Sequence, residues 1–144
     1  MDEQGYSYSF NRVTFEYEFF SISSVKKVRK VVVFSEMEKD VYNLALLDEI
    51  EDGFLSDMSE SNNDDLVTVM ATVIKIVDDF LTKNPHFFVV FSGSDERRQR
   101  LYRIIITKEL EKIKQKFEIF SVNKNGIIPF QANQEYEFIL IKKI

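Results

Sequence analysis

The stretch richest in possible chemistry is Ser92-Gly93-Ser94-Asp95-Glu96-Arg97-Arg98-Gln99-Arg100-Leu101-Tyr102, where a Gly-Ser turn leads straight into three closely spaced arginines. The apolar run before it, Phe87 to Phe91, is too short for a helix and is bounded by Pro85 and Gly93. It reads as a strand buried on both faces, and the residues after Ser94 read as the first turns of a helix. Such a helix start presents unpaired N–H groups and the positive end of the helix dipole, and an arginine fork grips two phosphate oxygens at once, so the combination suits an anion. Helix stability does not explain the arginines: a cation in the first turn costs from a few tenths to about 1 kcal/mol, and Asp95 and Glu96 are what that turn prefers. At about 100° per residue, Arg98 falls one turn before Tyr102 on the flank facing the core, while Arg100 and Arg103 point outward. The candidate binding residues here are Ser94, Arg98, Arg100 and Tyr102. Arg98 has a competing role as a salt bridge to Glu16 or Glu18 with its methylenes on aromatic rings, and Ser94 has one as an ordinary N-cap. The turn lacks the lysine and glycine spacing of a P-loop, and nothing matches a dinucleotide fingerprint.

A second basic group, Lys26, Lys27, Arg29 and Lys30, sits next to a strand carrying Tyr and Phe. Charged strands with stacking aromatics bind single-stranded nucleic acid, and lysines on an edge strand also serve merely to block aggregation. Other reactive groups stand alone. Glu16 and Glu18 share a strand face but have no histidine beside them, and the single histidine, His86, follows Pro85 at a helix-to-strand junction. Asp57, Ser59 and Ser61 imitate the start of a calcium loop, yet Asn62 and Thr68 stand where the glycine and the closing glutamate belong. No Ser-His-Asp, Cys-His or clustered His/carboxylate set is present, so no catalytic residue, metal ligand or cofactor is nominated and an enzyme is disfavoured.

Composition narrows the partners. The formal charge of −5 and pI near 5.0 exclude a surface that coats polyanions as a whole, though not a local basic stripe. With no cysteine there are no disulfides or thiolate sites, which suits a reducing compartment. The N-terminus is acidic and no apolar run is long enough to span a bilayer, so a cytoplasmic protein without a membrane partner is expected. Fourteen Phe and six Tyr supply a large core for 144 residues, and one domain over residues 1–144 is expected.

The elements that must position these groups follow from periodicity. Tyr8 to Phe20 alternates, with Val13, Phe15, Tyr17 and Phe19 on one face, and predicts a single strand joined by a hairpin to Val25–Phe34. Val41 to Leu47 predicts a short strand apolar on both faces, and residues 48–65 an acidic loop. Leu66, Met70, Val73, Val77 and Phe80 mark a helix capped by Asn63 or Asp64 and ended by Asn84-Pro85. A second helix runs from Asp95 to about Lys116 on Tyr102, Ile106, Leu110 and Ile113. Strands over Phe117–Val122 and Tyr136–Ile141 close the chain, with a turn at Asn125-Gly126 and a possible short strand over Ile127–Phe130. The fold class is α+β: one mixed or mostly antiparallel sheet of five to seven strands with two helices packed on it, in the order β-β-β-α-β-α-β-β.

The Gly93-Ser94 turn followed by Arg98-Gln99-Arg100-Leu101-Tyr102, with Tyr42-Asn43-Leu44-Ala45, Ala71-Thr72-Val73, Phe117-Glu118-Ile119-Phe120 and Tyr136-Glu137-Phe138, resembles a bacterial family of single-domain proteins of unknown function. The resemblance covers nearly the whole chain and implies that Arg98, Arg100 and Tyr102 belong to the family pattern. It brings no activity with it. The sequence points to a non-enzymatic binding module whose partner is a protein or single-stranded nucleic acid. The alternatives are a small RNA-acting enzyme of the toxin kind and an oligomeric structural subunit.

Overall fold

Alternating residues build the first hairpins. In the computed structural model, which describes residues 5–51, 53–56, 65–92, 96–131 and 134–144, strand β1 (Tyr8–Asn11) turns back into β2 (Glu16–Ile22). The expected single strand over Tyr8–Phe20 is therefore two. Asn11 breaks it: its Oδ1 accepts the backbone N–H groups of Val13 (2.8 Å) and Thr14 (3.2 Å), the local bond that lets Asn start a turn. Phe15 takes a positive φ of 58°, and Val13 and Phe15 are exposed rather than buried with Tyr17 and Phe19. The predicted hairpin from β2 into β3 (Lys27–Glu38) is present, followed by β4 (Val41–Glu49).

The acidic loop is shorter than expected, because Asp48 and Glu49 still belong to β4 and a two-residue strand, β5 (Leu55–Ser56), pairs with them. Residues 52 and 57–64 lie outside the described residues, and with them the proposed caps Asn63 and Asp64 and the calcium-like Asp57, Ser59 and Ser61. Helix α1 (Leu66–Lys83) follows, then β6 (Phe88–Phe91). The second helix is interrupted into α2 (Glu96–Lys108) and the single turn α3 (Leu110–Ile113), ending before Lys116. Strands β7 (Phe117–Asn123), β8 (Gly126–Pro129) and β9 (Phe138–Lys143) complete the order. The turn at Asn125-Gly126 is as expected: Gly126 takes a φ of 115°, open to glycine and strained for other residues.

All these strands form one mixed sheet in the order β1-β2-β3-β4-β6-β9-β7-β8, with β5 beside β4. Among the described residues nine strands and three helices are present against the five to seven and two of the sequence pattern, because one predicted strand is two, β5 was not expected and the second helix is divided.

The topology decides where the helices go. β4 and β6 are parallel neighbours joined through α1. β6 and β7 are each antiparallel to the β9 between them, so they too are parallel, joined through α2 and α3. Both crossovers step the same way across the sheet. A right-handed crossover then puts its helix on the same face each time. Accordingly Met70, Val73, Ile76 and Val77 of α1, Ile105 and Ile106 of α2 and Ile113 of α3 join Tyr17, Phe19, Val32, Leu44, Val89, Phe91, Ile119, Ile139 and Ile141 in one buried cluster. No helix that the structure describes is long and apolar enough to cross a membrane.

Candidate functional site

The parallel strands β4 and β6 end on the edge from which α1 and α2 start, and a polar cluster gathers there. Asp65, at the N-cap position of α1, makes no capping bond with its side chain; its carboxylate accepts the hydroxyls of Tyr6 (2.6 Å) and Ser21 (2.5 Å). The Tyr6 backbone N–H donates to Thr72 Oγ1 (2.8 Å), an approach that needs Gly5, since a Cβ there would stand 2.8 Å from the Thr72 nitrogen. Lys30 Nζ lies 2.6 Å from Asp48 Oδ1 on the helix side, the two residues being 6% and 7% exposed.

The sequence candidates fall out as follows. Ser94 lies outside the described residues. Arg97 and Arg100 are exposed and Arg98 is half-buried on α2. Glu16 and Glu18 project from the opposite face of the sheet, away from α2, so neither forms the salt bridge that was the competing role of Arg98: Glu18 is held by Arg29. Tyr102 packs, its ring stacked on Phe91 at 5.0 Å. Its neighbour Gln99 ties α2 to the far end of the chain, Nε2 donating to the Tyr136 carbonyl (2.6 Å), and burial pushes the Tyr136 hydroxyl up to about 12.

The basic stripe of β3 is divided by the pleat, which sends successive side chains to opposite faces. Lys30 goes to the helix side and pairs with Asp48. Arg29 goes to the other face, where Glu18 (2.8 Å) and Glu49 (3.0 Å) clamp it. Lys27 lies over the Phe20 ring at 4.4 Å, and Lys26 is exposed. Nor is this an edge, since β3 runs between β2 and β4. An anion crevice at the ends of parallel strands also needs adjacent crossovers that diverge to opposite faces. Here both turn to one face.

That leaves the face without helices. Residues directly opposite in register share a face, so Glu18, Val31 and Leu47 form one row, Glu16, Val33 and Ala45 the next, and Asn43, Val90, Leu140 and Phe120 a third, with Phe138 and Val122 paired beside it. Val31 (0% exposed) and Val90 (5%) are shielded by their neighbours but stand outside the helix-side cluster. Val33, Ala45, Leu47, Phe120, Phe138 and Leu140 are half-buried. Among the described residues, no helix packs on them.

Compared with known proteins, the chain matches a family described as "Family of unknown function (DUF6934)" over residues 2–144. The chain belongs to this family. No curated protein and no solved structure matches it. The family supplies no activity, so residue roles rest on the chemistry of the chain itself. The apolar face was not nominated from sequence, although its signal was present: Val31-Val32-Val33, Val89-Val90-Phe91 and Phe138-Ile139-Leu140-Ile141 are continuous runs, the pattern of strands covered on both faces. Periodicity requires the second cover without saying whether this chain provides it.

Proposed function

We propose that this protein is a non-enzymatic binding module that recognises a protein partner through the helix-free face of its sheet. The observation that carries this is the mismatch between strands apolar on both faces and helices on only one of them. An antiparallel sheet with one wet face alternates apolar and polar residues, whereas β3, β4, β6, β7 and β9 place Val33, Ala45, Leu47, Val90, Phe120 and Leu140 on the uncovered side. Contiguous apolar surface of this kind marks interaction sites. The nucleic-acid alternative is weakened by its own residues: Lys30 and Arg29 are engaged by carboxylates, and the net charge is −5. Affinity capture with the whole chain tests the proposal. Wild type and Arg98→Ala hold the same protein partner, further copies of the chain included, and Leu140→Glu loses it. Salt-sensitive binding of labelled single-stranded RNA or DNA in fluorescence anisotropy, abolished by Arg98→Ala but not by Leu140→Glu, would replace this function with the polyanion one.

A further inference from the structure

At the β1–β2 end of the helix-free face the apolar rows give way to a polar cleft. Ser9 and Asn11 on β1 stand opposite Glu18 and Glu16 on β2, and Arg29 on β3 shares their face. With Arg12 from the turn between β1 and β2, these residues line a cleft of about 380 Å³, at the low end of the range for small-molecule sites. The turn that carries Arg12 is held at several points. Asn11 Oδ1 accepts the N–H groups of Val13 and Thr14, and the Phe15 N–H donates to the Asn11 carbonyl (2.8 Å). Phe15 is kept at a φ of 58°, a left-handed conformation that is unfavourable for a bulky side chain. Two N–H groups already occupy Oδ1, so what Asn11 has left to offer is its amide N–H donors.

Of the charged side chains that line the cleft, Arg12, Glu16, Glu18 and Arg29, the chain pairs only the last two. Arg29 is clamped between Glu18 (2.8 Å) and Glu49 (3.0 Å), a closed network that asks nothing of a ligand. Glu16 is half-buried and Arg12 exposed; neither has a hydrogen-bond or ion-pair partner through its side chain among the described residues, and they do not pair with each other. The two leave the backbone at neighbouring places, since Arg12 follows Asn11 and Asn11 is the register partner of Glu16. A lone anion would meet Glu16 and Glu18 as well as Arg12, and a lone cation would meet Arg12 as well as Glu16. A molecule that carries both charges satisfies both side chains without a like-charge contact. We infer that this cleft binds a small zwitterion, a free α-amino acid, whose ammonium group pairs with the Glu16 carboxylate and whose carboxylate pairs with Arg12 and the Asn11 amide. The site is separate from the protein-binding function proposed above, which uses the apolar part of the face.

Titration of the full chain with each free L-amino acid, followed through the backbone amide signals of residues 9–18 in NMR spectra, tests the inference. At least one amino acid shifts these signals saturably, with a Kd of about 1 mM or below. Its methyl ester, which lacks the carboxylate, and its N-acetyl form, which lacks the ammonium group, each bind about tenfold more weakly or worse, because each loses one charge-assisted contact. Glu16→Gln and Arg12→Gln weaken the free amino acid by a similar factor, with signals outside the cleft unchanged. The ester and N-acetyl comparisons use the wild-type chain, so the outcome does not depend on the variants folding. No saturable shift of these signals with any amino acid up to about 10 mM overturns the inference. So does an ester or an N-acetyl form that binds as tightly as the free amino acid, which makes the cleft a site for a cation or an anion alone. Folded variants that bind like wild type overturn it as well.

Discussion

Val31 and Val32 are neighbours on β3, both 0% exposed, and they belong to different surfaces. Val32 sits in the cluster closed by α1, α2 and α3; Val31, on the opposite face, is not part of that cluster. The same division separates Ile141 from Leu140 on β9 and Val89 from Val90 on β6. Both faces of the sheet carry apolar residues, and the described helices pack on one of them. Burial of a side chain therefore does not reveal which layer covers it: α1, α2 and α3 close the helix face, and among the described residues no helix packs on the other. Polar groups follow the same division. On the helix face Lys30–Asp48 is buried, and the bonds of Asp65 with Tyr6 and Ser21 are partly so. On the open face the ion pairs of Arg29 remain partly wet, with side-chain exposures of 30–37%.

The largest expected effect falls on the helix face. Lys30→Met leaves the Asp48 carboxylate in a desolvated position without its ammonium partner, and should lower unfolding free energy by about 3 kcal/mol or more in urea titrations. Arg29→Met, removing a cation from the same strand on the other side, should cost under about 1 kcal/mol, as partly exposed pairs do. Equal losses would mean that the two faces are equally desolvated and would remove the contrast.

Next comes the adjacent pair on β9. Ile141→Ala opens a cavity under the helices and should cost about 3 kcal/mol. Leu140→Ala, on the face where no described helix packs, should cost about 1 kcal/mol or less. A Leu140 loss as large as that of Ile141 would mean that the face is covered and would remove the contrast.

The smallest effect sharpens the helix face itself. Ser121 is 1% exposed, and its Oγ has no hydrogen-bond partner among the described residues. An unsatisfied buried hydroxyl is costly, so Ser121→Ala should leave stability unchanged or raise it by about 1 kcal/mol in thermal and urea melts. A clear loss would reveal a buried partner for the hydroxyl.

Much of the fold was legible because it rests on local periodicity. The apolar recurrence over Leu66–Phe80 marked α1, the short run Phe87–Phe91 marked a central strand, and Asn125-Gly126 marked the turn into β8. The break at Asn11 was hidden because Val13, Phe15, Tyr17 and Phe19 alternate from just beyond it, although Val13 and Phe15 end up exposed in a turn. The candidate site was less legible. Arginines after a glycine turn announce anion chemistry through local cues, whereas Lys30 was read as surface because its carboxylate, Asp48, lies eighteen residues away and becomes its neighbour only when β3 pairs with β4.

What the sequence determined by itself is the amount and spacing of apolar surface: strands greasy on both sides, amphipathic helices, and a large aromatic core. These are properties of residues a few positions apart, and burial free energy follows from them wherever the strands are placed. What only the tertiary structure decided is which face the helices take. That depends on β4, β6 and β7 being parallel and met in one direction across the sheet, with β9 inserted between the last two. Strand order is a long-range outcome of pairing, and the handedness of each crossover converts it into one covered face and one left open.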